Sequence, residues 1–174
     1  MRPKTVWSLT RQAAGVWRVL VASAPPETDA RSERIRALYD GFRPAFAQVV
    51  VVGPGHLVQA LAQDERVVLI DVRSAAERRV STLTGAVSPE EFLAELDAYR
   101  GHRAVAFCTL GVRSGAWAAE RCADGLQVEN LEGGLLAWTH AGGALVTPEG
   151  APTVRLHVYG PTWNLVHDAY EGVW

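Results

Sequence analysis

At 174 residues the chain is long enough to bury its own core and short enough to hold one domain with extensions. Its 48% hydrophobic and 21% charged residues exclude a disordered chain, and its net charge of −2 gives no pull toward nucleic acid. Two cysteines and five scattered histidines show no zinc spacing, and neither a metal nor an organic cofactor is expected.

Residues 1–24 carry four cations and no acid. Val6, Leu9, Ala13, Val16, Trp17 and Leu20 fall on one helical stripe. Arg18 lies inside what would be the apolar run of a signal peptide, which argues against one. A basic amphipathic helix of this kind either packs on the domain or on a second subunit, the favoured expectation, or lies on a membrane surface. No stretch approaches the ~20 uninterrupted apolar residues of a membrane-spanning helix.

Ala24-Pro25-Pro26-Glu27-Thr28-Asp29 is a linker by composition. A short helix is predicted from about Asp29 to Tyr39, ending near Gly41, and Arg43-Pro44 breaks it. Gln48 to Val52 predicts a strand closed by Gly53-Pro54-Gly55, and Leu57 and Leu61 mark a short helix. Val67-Val68-Leu69-Ile70 predicts a buried strand ending in Asp71. Ser88-Pro89-Glu90-Glu91 is a helix start, with Ser88 as N-cap and Glu91 as its capping-box partner. Phe92, Leu93, Leu96 and Tyr99 supply that helix's apolar face, and Gly101 stops it. Ala104 to Phe107 predicts the next strand, Ser114 to Ala123 a helix, and Leu126-Gln127-Val128 a short strand. Gly133-Gly134 then opens a helix through Leu135, Leu136 and Trp138, whose indole is expected in the core. This alternation predicts an α/β fold, a mainly parallel sheet flanked by helices. The expected organisation is an N-terminal helical extension over residues 1–45, the α/β domain over 46–146, and a C-terminal extension over 147–174 packed on it.

Cys108 ends an apolar strand and opens a tight turn before a helix, with Arg113 five residues on. Free backbone N–H groups and the helix dipole favour an anion at such a place, and so favour the thiolate of Cys108. A helix from Ser114 to Ala123 separates Cys108 from Cys122 by roughly 15 Å. A disulfide needs Cα atoms within about 7 Å, so two free thiols and a reducing, cytoplasmic compartment are expected. Cys122 reads as an inert thiol near a helix end. Arg113 is a cation at the positive end of a helix, which points to an anion partner.

Three segments, in order, resemble the signatures of the rhodanese (sulfurtransferase) family. They are Val68-Leu69-Ile70-Asp71-Val72-Arg73 with Glu77 and Gly85-Ala86, then Cys108-Thr109-Leu110-Gly111-Val112-Arg113-Ser114, then Asn130-Leu131-Glu132-Gly133-Gly134-Leu135-Leu136-Ala137-Trp138. The resemblance covers roughly residues 49–146 and implies a rhodanese-like fold with a Cys108 persulfide. It also implies substrate binding by Thr109, Leu110, Gly111, Val112, Arg113 and Ser114. The chain departs from the family where Gly-His-Ile-Pro is common, carrying Ser81-Thr82-Leu83-Thr84 instead.

The residues support that chemistry. A curled loop directs N–H groups at an anionic sulfur, and Gly111 tolerates the curl. Asp71 and Arg73 read as a structural ion pair or loop hydrogen bond, and Glu77 as a group that caps or pairs within the fold. The expected partners are a small-molecule or protein sulfur donor and acceptor. Two rival functions remain open at the level of sequence. One is a Cys-dependent phosphatase or arsenate reductase, although only four residues separate Cys108 from Arg113 here, one fewer than in related phosphatases. The other is a persulfide carrier or interaction module without broad turnover. Tyr159, Trp163 and Tyr170 motivate a further expectation, that the tail folds over Cys108 as a lid.

Overall fold

The computed structural model describes residues 29–174. The expected helix within residues 1–24 and most of the linker after it lie outside the described residues.

The first described helix, α1 (Ala30–Phe42), is capped by Asp29, whose carboxylate accepts from the Ser32 N–H. It runs through Gly41 and gives way to a 3-10 turn at Arg43–Phe46. The sheet is built from β1 (Val51–Val52), β2 (Val67–Asp71), β3 (Arg103–Phe107) and β4 (Val128–Leu131). The four strands lie in the order β1-β4-β3-β2, and every pairing is parallel. Helices α2 (Pro54–Ala62), α3 (Ala75–Val80), α4 (Pro89–Ala94), α5 (Val112–Ala123) and α6 (Gly134–His140) fill the connections.

Side chains alternate along a strand, and here the alternation feeds two cores. Leu69, Val105, Phe107 and Leu131 join Leu57 of α2 and Leu135, Leu136 and Trp138 of α6 on one side. Val68, Ile70, Ala104, Ala106 and Val128 join Phe92 of α4 and Ala118 of α5 on the other. A sheet covered on both faces explains why its strands read as continuous apolar runs.

Several boundaries differ from the sequence reading. β1 holds Val51–Val52 rather than Gln48 to Val52, because the Arg43 guanidinium donates to the Phe46 and Val49 carbonyls and keeps the approach in a turn. β4 begins at Val128, two residues after the expected start, where it registers with Ala104 of β3. The helix opened by Ser88 and Glu91 has the expected capping box but stops at Ala94. Phe92 stacks on Tyr99 at 5.7 Å across a series of turns, leaving Leu93 and Leu96 exposed. That contact pairs the two aromatic members of the stripe without a continuous helix. α5 begins at Val112, two residues before Ser114, because left-handed Gly111 caps it. α3 was not foreseen. Its signal is a second capping box, Ser74 with Glu77.

The C-terminal segment adds two short paired pieces. A hairpin pairs β5 (Leu145–Val146) with β6 (Pro152–Thr153). A parallel ribbon then pairs β7 (Arg155–His157) with β8 (Glu171–Val173). Leu156, Val158 and Val166 are buried in the same core as α2 and α6. The Tyr170 hydroxyl donates to the Gly143 carbonyl at 2.9 Å, and the His167 N–H donates to Thr139 Oγ1 at 3.1 Å. No helix among the described residues is long and apolar enough to cross a membrane.

Candidate active site

Cys108 leaves the carboxyl end of β3, the edge at which parallel α/β sheets carry their sites. Its side chain is buried. The loop runs Cys108-Thr109-Leu110-Gly111 and turns directly into α5. Gly111 has φ +92°, a conformation that disfavours a side chain. In it, the Gly111 N–H donates to Cys108 Sγ at 3.1 Å. A Cβ there would also meet the Leu131 carbonyl oxygen at 2.8 Å and the Tyr39 ring at 2.9 Å.

The loop is held from outside by α6. The Leu135 N–H donates to the Cys108 carbonyl at 2.9 Å and the Leu136 N–H to the Thr109 carbonyl at 3.0 Å. These are first-turn N–H groups of a helix, without partners inside it. Gly134 makes this approach feasible. A Cβ on it would lie 2.4 Å from the Cys108 carbonyl oxygen, and its φ is +58°. The Gly133-Gly134 signature is therefore part of the cysteine loop's support. Asn130 completes it: fully buried on β4, it donates through Nδ2 to the Gly111 carbonyl at 2.8 Å and to the Tyr39 hydroxyl at 3.1 Å. Sequence reasoning gave Asn130 no role. Its segment, Val128-Glu129-Asn130-Leu131, carries no local signal beyond Asn130's place in the third signature.

Arg113 lies in the first turn of α5, and its anion partner is Glu77 of α3. Its two terminal nitrogens donate to the two carboxylate oxygens at 2.9 and 2.7 Å. Glu77 also accepts from the Ser74 N–H at 3.0 Å, the Ser74 hydroxyl at 2.8 Å and the Thr109 hydroxyl at 3.3 Å. Burial alone would raise the Glu77 carboxyl. The Arg113 pair and the Ser74 bonds outweigh it and hold the group down to about 2. Arg113 is held above its ordinary range, since its pairing with Glu77 overcomes its own desolvation. Thr109 bridges this pair to the loop, because its hydroxyl also accepts from Arg113 at 3.4 Å.

Asp71 and Arg73 form a separate buried pair. Arg73 donates through Nε and Nη2 to Asp71 at 2.9 and 2.7 Å and through Nη2 to the Ser81 carbonyl at 2.6 Å. The Thr82 hydroxyl donates to Asp71 at 2.7 Å. The stretch Ser81-Thr82, where the chain departs from the family pattern, thus closes around this pair. Leu110 packs into the main core, and Val112 lies half-buried beside it. Ser114 is fully buried, with no hydrogen-bond partner for its hydroxyl. Cys122 is a free thiol like Cys108, and it is half-buried against the Val128 carbonyl. Among the described residues no group of three His, Cys, Asp or Glu side chains is placed to hold a metal ion.

The C-terminal segment reaches this site. The Arg113 guanidinium lies 5.3 Å from the centroid of the Tyr159 ring. Sequence reasoning singled out Tyr159 only through the aromatic content of the tail, without the contact.

A parallel sheet covered on both faces, with a cysteine cradled between strand and helix, defines an α/β domain built around a thiol loop. The rhodanese-like domain family model matches residues 55–141, and the chain belongs to that family. It is 33% identical over 102 residues to a sulfurtransferase of Allochromatium vinosum, covering 54% of this chain and 92% of that one. It is 31% identical over 123 residues to a tRNA uridine(34) hydroxylase of Bordetella petrii, covering 62% of this chain and 49%, about half, of that protein's length. A thiosulfate sulfurtransferase of Pseudomonas aeruginosa shares the fold, with a TM-score of 0.52, 21% identity, and coverage of 67% of this chain and 23% of that one.

Proposed function

We infer that the protein is a sulfurtransferase that carries sulfane sulfur as a persulfide on Cys108. The Gly111 N–H bonded to Cys108 Sγ at 3.1 Å carries this reading. That bond stabilises negative charge on the sulfur at the end of a strand, in a turn whose backbone is fixed by α6 and Asn130. In the first half-reaction the Cys108 thiolate attacks the outer sulfur of the donor. The Sγ–S bond forms, the donor's S–S bond breaks, and its electron pair leaves with the donor's remainder as sulfite, sulfinate or thiolate. In the second, a thiophilic acceptor attacks the terminal sulfur, and the pair of the Sγ–S bond returns to Cys108 as thiolate. A reducing, cytoplasmic setting suits this chemistry, and the partners are a sulfur donor and acceptor, small molecule or protein.

The placement of Arg113 favours sulfur over an oxyanion. Its terminal nitrogens are both engaged by Glu77, whereas phosphoryl transfer would employ that arginine on the transferring group. The test is intact-protein mass after incubation with thiosulfate or an organic thiosulfonate, then with cyanide, on the parent chain and Cys108→Ser. The expected result is the mass of one added sulfur atom, removed by cyanide and absent in Cys108→Ser. No gain from any donor, with Cys108 still freely alkylated, overturns the reading.

A further inference from the structure

The Cys108 site has an aromatic wall supplied by the C-terminal segment, and its charges are already paired. Arg113 spends both terminal nitrogens on Glu77. Arg73 is bound to Asp71 and the Ser81 carbonyl. Arg78 donates to the Asp71 and Arg73 carbonyls. A dianionic donor would approach an ionised Glu77 with no surplus cation beside it. The Tyr159 ring lies 5.3 Å from the Arg113 guanidinium, within cation–π range.

The backbone on both sides of Tyr159 is anchored. Val158 before it is fully buried, and its N–H donates to the Val173 carbonyl at 2.7 Å. Gly160 after it, at φ +145°, turns the chain into the 3-10 turn at Pro161–Trp163. Trp163 meets the Tyr159 ring edge-on at 6.0 Å. Half of Tyr159 stays exposed, so the ring borders both the loop and solvent. Burial keeps its phenol above the usual tyrosine range, and Arg113, Glu77, Cys108 and Thr109 all act on it. The wall beside the Glu77–Arg113 pair is thus carbon-rich and carries a neutral hydroxyl.

Resting on the persulfide reading, we propose that Tyr159 is a specificity-determining residue: its ring and the closed Glu77–Arg113 pair select a donor whose sulfane sulfur is borne on an organic group with a single negative charge, over a small dianion. Organic carbon stacks on the ring and tolerates the paired charges. Thiosulfate gains neither contact nor counter-charge there.

The experiment compares benzenethiosulfonate, an aromatic monoanion, with thiosulfate, a dianion, using cyanide as acceptor for both. The full chain is expected to show a kcat/KM at least about tenfold higher for benzenethiosulfonate, the discrimination a single apolar contact supplies. Tyr159→Ala is expected to lose about tenfold on benzenethiosulfonate, mainly through KM, while thiosulfate changes less than about twofold. Tyr159→Phe is expected to retain the preference, because the ring is kept. Thermal unfolding of each variant shows whether it is folded, and Tyr159→Leu supplies a second truncation of the ring. Equal losses on both donors in folded variants, or a parent chain that prefers thiosulfate, overturn the proposal. If neither donor adds sulfur to Cys108 in the mass measurement, the persulfide reading itself fails. Sulfur loading without discrimination refutes only the role of Tyr159.

Discussion

Glu77 is the residue on which α3, α5 and the cysteine loop meet. It takes bonds from Ser74, Arg113 and Thr109, and it stays ionised down to about 2, against an ordinary 4.5. A carboxyl whose folded value is depressed contributes stability above its unfolded value and loses it as pH falls through its folded one. The expected outcome is a stability that declines from pH ~4.5 to ~2, with a shallower decline in Glu77→Gln over the same window. Urea midpoints across that range check it. At neutral pH, Glu77→Gln is expected to cost about 1–3 kcal/mol, because the Arg113 guanidinium loses its charged acceptor. Sequence showed a cation at a helix start and so an anion partner, but it could not say that the partner lies on α3. The spacing that makes Ser74 and Glu77 a capping box was there to be read. The contact across to α5 is tertiary and leaves no local signal.

At the scale of elements, the meeting of α6 with the Cys108 loop decides the geometry. The first turn of α6 holds two loop carbonyls only because Gly134 has no side chain to interpose. Gly134→Ala is expected to destabilise the fold by about 1–3 kcal/mol from its left-handed backbone alone. It is also expected to displace the loop and lower sulfur loading of Cys108 by more than the stability loss explains. Loading measured well below the melting temperature separates the two effects. The strand-loop-helix around Cys108 and the Gly-Gly turn were legible because each carries a backbone requirement written as residue type. The ends of α4 and β4 were not. The stacking of Phe92 on Tyr99 and the register of Val128 with Ala104 set those boundaries, and tertiary contacts of that kind override local periodicity.

Across the whole molecule, two segments outside the matched residues 55–141 are joined to the main core. Ile35 of α1 and Leu156, Val158 and Val166 of the C-terminal segment share it with α2 and α6. Arg31 of α1 donates to the Val166 carbonyl at 2.8 Å, so the two segments also touch each other. Leu156 is fully buried, and Leu156→Ala is expected to cost about 2–5 kcal/mol. The loss is expected to appear in a single unfolding transition, since β7 sits on the core rather than beside it. An independent early transition for the C-terminal segment in calorimetry would contradict this. The sequence marked the tail by its bulky residues, yet a parallel ribbon of β7 with β8 was beyond reach, because its strands are three residues each and separated by a 3-10 turn.

The Val158 N–H is bonded to the Val173 carbonyl, one residue before the ring that faces Arg113. Its rate of exchange with deuterated solvent therefore reports on β8 and on the wall of the thiol site at once. Protection at that amide should vanish when β8 is undocked. One amide signal would then tell a docked Tyr159 ring from an undocked one without any turnover being measured.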